Sequence, residues 1–111
     1  MASGFLGSGT GGGTLSYGSG SQIFSATTTT TLILSCCNRT AAAINISIAV
    51  VPSTETATTG TVADAYLIEK DFPLGANTSF ERTGITLGAN DRLMAVGAQT
   101  GVTFVAYGLE S

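Results

Sequence analysis

Hydrophobic and polar residues alternate along most of this chain with a period of two, the signature of extended strands whose successive side chains point to opposite faces. The clearest case lies between Cys36 and Val51. Ile44, Ile46, Ile48 and Val50 share one parity, while Asn45, Ser47 and Ala49 share the other. Upstream, Leu32, Leu34 and Cys36 repeat the spacing. Between the two runs, Asn38-Arg39-Thr40 is polar and turn-tolerant, which predicts either an antiparallel hairpin or a longer crossover between two sheets.

The same reading extends along the chain. Ser21–Ser25 (SQIFS) is a short strand, and the β-branched run Thr27–Thr31 leads stiffly into Leu32. Pro52 ends regular pairing, and residues 53–61 (STETATTGT) have the composition of an exposed loop. Ala63–Lys70 (ADAYLIEK) suits helix or strand, but eight residues bounded by Gly60 and Pro73 are short for a helix and ordinary for a strand. Residues 73–77 form a turn. Thr78–Thr83 alternates weakly, Gly84 breaks it, and Ile85–Leu87 resumes the pattern. After a turn at residues 88–91, Met94 and Val96 share a face with the stem of Arg92. In the last run, Gly101–Leu109, Val102, Phe104 and Ala106 oppose Thr103, Val105 and Tyr107, so both faces are partly apolar. That predicts a central or interface-facing strand. Seven or eight short strands and no helix indicate an all-β fold, an antiparallel β-sandwich of jelly-roll or Ig-like type.

Residues 1–20 stand apart. They hold eight of the fifteen glycines, with Phe5, Leu6, Leu15 and Tyr17 as the sizeable apolar groups. So Gly-rich a segment loses much entropy on ordering, so it predicts either a mobile tail or, favoured by the spacing of its four anchors, an extended N-terminal arm that docks on a neighbouring surface. The sandwich domain is then residues 21–111. Gly7-Ser8-Gly9-Thr10-Gly11-Gly12 matches the G-x-G-x-x-G pattern, but neither a preceding strand nor a following helix is predicted, so no nucleotide site is inferred.

The chain is unusually poor in charge. Charged residues are 10% of the 111-residue chain, against about 25% in ordinary soluble domains. Mean hydropathy is +0.37. No stretch approaches the roughly 20 apolar residues that span a bilayer, so no membrane association is expected. A polar but weakly charged surface, with net charge −3, favours association into a homo-oligomer. Four basic residues, Arg39, Lys70, Arg82 and Arg92, give no footprint for nucleic acid. The acid-base doublets Glu81-Arg82 and Asp91-Arg92 read either as ordinary surface salt bridges or, with Arg39, as residues that set register at a subunit contact.

Candidate chemistry is sparse. The sequence has no histidine, hence neither the usual general base nor the usual metal ligand. The carboxylate pairs Glu69 with Asp71 and Glu81 with Asp91 have little material around them for a substrate cleft, so neither enzyme activity nor a cofactor or metal is expected. Cys36 and Cys37 are adjacent and point to opposite faces of a strand, one toward the core and one outward as a free thiol or an intersubunit disulfide. Met1–Gly20 lacks a basic start and an apolar core, so a cytoplasmic origin with reduced thiols is expected.

Several stretches carry a family resemblance: MASGFLG, the threonine-rich lead-in to the first long strand, CNRTAAAINISIAVV, YLIEKDFPLGANTSFERTGITLGANDRLMAVGA and VTFVAYGLE. In these the chain resembles small β-sandwich virion structural proteins of tailed bacteriophages, of decoration or accessory type, especially cyanophage-like ones. The resemblance covers nearly all of the chain from Gln22 onward. It implies a non-enzymatic component of the head, neck or tail, located in the virion after assembly in the host cytoplasm, with major capsid or tail proteins as partners. It supplies no active-site residues. The alternative is a receptor- or glycan-binding module of a tail fibre or baseplate, with Tyr66 and Tyr107 as sugar-stacking platforms.

Overall fold

A computed structural model describes residues 3–111; Met1 and Ala2, the first two residues of the expected arm, lie outside the described residues. Eight strands follow one another: β1 (Ser3–Gly9), β2 (Gln22–Ser25), β3 (Thr30–Asn38), β4 (Ile44–Val51), β5 (Leu67–Leu74), β6 (Ser79–Leu87), β7 (Arg92–Gly97) and β8 (Val102–Glu110). A 3-10 turn, Asp64–Tyr66, precedes β5, so the expected strand at 63–70 begins four residues later and runs through Pro73.

The strands form two four-stranded antiparallel sheets, ordered β1-β8-β3-β6 and β2-β7-β4-β5. The order has a simple origin. A long antiparallel ribbon pairs β1 with β8, β2 with β7, β3 with β6 and β4 with β5. Rolling that ribbon up adds β3 against β8 and β4 against β7. This is the jelly roll, which the alternation alone left undecided against an Ig-like order. Every connection crosses between sheets except the one from β4 to β5 at the ribbon's tip. The segment from Cys36 to Val51 is accordingly a crossover, not a hairpin.

Inward-facing residues of both sheets make the core. From the first sheet come Leu32, Leu34, Cys36, Ile85, Leu87, Val102, Phe104 and Ala106, and from the second Ile23, Ile44, Ile46, Ile48, Leu74, Leu93 and Ala95. Each fully buried Leu, Ile or Phe contributes about 1.5 to 3 kcal/mol. At the open side of the sandwich, between β5 and β6, Arg82 and Glu69 pair at 2.7 Å and the rings of Phe72 and Phe80 meet at 4.6 Å.

A second apolar cluster lies on the outward face of the second sheet. Ala49 and Val51 of β4 and Met94 and Val96 of β7 are covered by Leu15, Tyr17 and Val62. Residues 3–20 are thus part of the sandwich, not an arm beside it. Ser3–Gly9 is an edge strand along β8, Gly13 N donates to Gly97 O at 2.9 Å, and Val62 N donates to Leu15 O at 3.1 Å. The glycines permit this by omission of a side chain: a Cβ on Gly7 would collide with the Ile23 carbonyl, and one on Gly11 with that of Gly20. Here glycine marks close approach of backbones more than freedom. β8, flanked by β1 and β3, is central, as its two apolar faces predict.

Candidate functional site

The two outward faces of the sandwich differ in how they are finished. On the second sheet, residues 10–20 and 52–66 cover the apolar half. Beside that cover lies a groove of about 450 Å³, lined by Leu15, Asn45, Ser47, Lys70, Asp71 and others. Lys70 and Asp64 approach to 3.8 Å at its edge, both well exposed, so the pair adds little stability. Neither Tyr66 nor Tyr107 lines this groove.

Glu55 ties the covering loop together. Its Oε1 accepts from the hydroxyls of Tyr66 at 3.3 Å and Tyr17 at 3.5 Å, its Oε2 from Ala57 N at 3.2 Å, and its carbonyl from Arg92 at 2.9 Å. The Arg92 guanidinium also lies 5.7 Å from the centre of the Tyr17 ring. Desolvation and the Glu55 carboxylate raise the Tyr66 phenol above its ordinary range.

Among the described residues, the outward face of the first sheet has no such cover. Phe5, Tyr107 and Ile33 lie in register across β1, β8 and β3, and Leu109 stands one pair along from Tyr107. Phe5 is 65% exposed and Leu109 57%, the two large apolar side chains most open to water among the described residues. Val105, Ser35, Thr103 and Cys37 continue the face, and Cys37 is exposed. Tyr107 donates to Glu81 Oε2 at 2.5 Å, and this bond, with desolvation, raises its phenol. Arg39 Nε donates to Thr103 Oγ1 at 2.7 Å.

These contacts sort the residues expected to mediate association. Leu15 and Tyr17 are buried in the chain's own second cluster, and Leu6 packs on the core between the sheets; none of the three is free to dock elsewhere. Phe5 alone of the four points into solvent. Arg82 pairs with Glu69 and not with adjacent Glu81, because neighbours in a strand point to opposite faces. Asp91 closes its own turn, Oδ2 accepting from Gly88 N at 2.8 Å and Oδ1 from Ser53 N at 2.9 Å. Arg92 is held by Glu55. Among the described residues, Arg39 and Glu81 keep polar partners but no ion pair.

Alternation missed Asn38, which it assigned to a turn. Its buried side chain donates to Ala42 O at 2.9 Å and Leu74 O at 3.0 Å, and accepts from Thr40 N and Oγ1 at 2.9 and 2.8 Å. All its hydrogen-bonding capacity is used to hold the crossover from β3 to β4 against the end of β5. A polar residue on the parity of Leu32, Leu34 and Cys36 was the available signal.

Cys36 and Cys37 divide as the strand parity predicts, one buried and one exposed, both as free thiols. Burial, helped by Glu69, pushes the Cys36 thiol up to about 12. Among the described residues no three acidic or sulfur side chains gather as a metal would require. No family model matches the chain, and neither curated proteins nor solved structures match it.

Proposed function

We propose that this chain is a non-enzymatic structural subunit of a tailed-bacteriophage virion, one that self-associates and coats or cements a particle surface as capsid decoration or as a neck or tail accessory. One observation carries the reading. The chain covers the apolar outward face of one sheet with its own loops and leaves Phe5 and Leu109 exposed on the other, beside the half-buried Tyr107 and Ile33. In a chain with 10% charged residues, such a surface is finished by another molecule. The sequence resemblance from Gln22 onward supplies the particle. The jelly roll agrees by analogy of fold, since it serves in viral capsid domains, though fold alone does not fix function.

The test is mass spectrometry and negative-stain microscopy of particles purified from the lysate that contains the chain. The expected result is the chain bound in multiple copies at the particle surface. Absence from the particles, together with a free protein that stays a stable single copy at high concentration, overturns the reading.

A receptor- or glycan-binding role has one observation in its favour: Tyr107 presents a ring on an open sheet with Glu81 beside it. Binding on a glycan array that is lost in Tyr107→Ala, with assembly intact, would put that reading first.

A further inference from the structure

We propose that the outward face of the first sheet is a two-fold contact between copies of this chain, Phe5, Tyr107, Ile33 and Leu109 of one copy packing on the same residues of the next. This rests on the self-associating reading above and names its partner and surface. Three observations select a second copy.

First, the edges β5 and β6 are closed to growth by strand addition. The chain's one lysine, Lys70, and Pro73 both lie on edge strand β5, where Asp71 adopts φ +51° at an irregular register. Lysine, proline and bulges are how edge strands avoid pairing. Edge β6 carries the Arg82 pair to Glu69 and a register break with Gly84 at φ +73°. Association through β5 or β6 is therefore disfavoured.

Second, the two faces are unequal. The second sheet's apolar half already has Leu15, Tyr17 and Val62 over it. The first sheet carries the exposed Phe5 and Leu109 in a continuous patch with Tyr107 and Ile33. A copy turned over about a two-fold axis through this patch lays it on itself, the self-complementary geometry of closed dimers.

Third, the charges on this face suit its own image. Arg39 and Glu81 are one base and one acid, each hydrogen-bonded but without an ion pair in the described chain. A second copy offers an acid for every base and no net repulsion. A strongly acidic or basic partner would find no matching charge here.

Sedimentation analysis of the purified full chain over a wide concentration range tests this. The wild type is expected to form a dimer, and Phe5→Asp combined with Leu109→Asp to raise its dissociation constant at least about tenfold. Both positions are mostly exposed in the single chain, so at concentrations where wild type and variant are both monomeric their melting temperatures are expected to be close. Thr56→Asp, on the loop over the second sheet, is the control and is expected to dimerise as the wild type does. A wild type that remains monomeric throughout overturns the proposal, as does a dimer unaffected by the Phe5 and Leu109 changes. If the chain is nonetheless found in particles, the structural-subunit reading survives and only this face is removed from it.

Discussion

At the scale of single residues, the fold depends on polar atoms being satisfied where they are buried. Asn38 is 1% exposed, and its amide serves two backbone carbonyls, one across a sequence gap of 36 residues. Asn38→Ala leaves Ala42 O and Leu74 O without their donor, and the expected loss is about 2 to 3 kcal/mol by urea denaturation. Cys36 gives a prediction with a sign. Its folded-state thiol is raised to about 12 from an ordinary value of 9.0, so between these values the unfolded chain releases a proton that the native state retains. Stability conferred by the neutral thiol is complete below pH 9 and falls as pH rises toward 12. Cys36→Val is expected to flatten that alkaline decline in thermal melts taken across the range. A thiol reagent at neutral pH is expected to modify one cysteine per native chain, Cys37, and two per unfolded chain. The parity of the cysteines was legible in the sequence, since one lies in line with Leu32 and Leu34. The partner of Asn38 was not, because nothing local announces a carbonyl from another sheet.

At the scale of elements, residues 3–20 show how one residue type carries two physical meanings. Glycine lacks a side chain, so in isolation it signals a chain that is hard to order. The same lack lets Gly7 lie against the Ile23 carbonyl and Gly11 against that of Gly20. Only the neighbours decide which meaning applies. Gly7→Ala is expected to destabilise by about 1 to 3 kcal/mol through overpacking, measured as a lower denaturation midpoint with an unchanged slope. Deleting residues 1–20 takes β1 from β8 and uncovers Met94 and Val96 by removing Leu15 and Tyr17. With about 1.5 to 3 kcal/mol lost for each such side chain against a total stability of about 5 to 15, the truncated protein is expected to lack a cooperative thermal transition. A cooperative melt of the truncated protein would return these residues to the status of an arm. The strands themselves were legible wherever one face is buried: Ile44, Ile46 and Ile48, and Val102, Phe104 and Ala106, all point inward as their spacing predicts.

At the scale of the whole molecule, the rolled ribbon makes the first strand neighbour the last. β1 and β8 pair only when nearly the full chain is present, and every sheet contact of β3 is with a strand far along the sequence. Such pairings are slow to form because distant segments must be brought together first. Refolding is expected in milliseconds to seconds, followed by tyrosine fluorescence since the chain has no tryptophan. The roll also decides which apolar positions become surface. Ile33, Tyr107 and Phe5 come from three distant parts of the chain, and only the order β1-β8-β3 places them side by side.

Alternation and composition by themselves determined that this chain is an all-β sandwich with few charges, because side-chain parity and solvation act residue by residue and need no partner to be read. The tertiary structure alone decided the jelly-roll order, the burial of Leu15 and Tyr17, the pairing of Arg82 with Glu69, and the gathering of one partly exposed apolar face. Each of these depends on which strands become neighbours across long sequence separations. That choice is made by the summed packing of both sheets, and no local window of the sequence contains it.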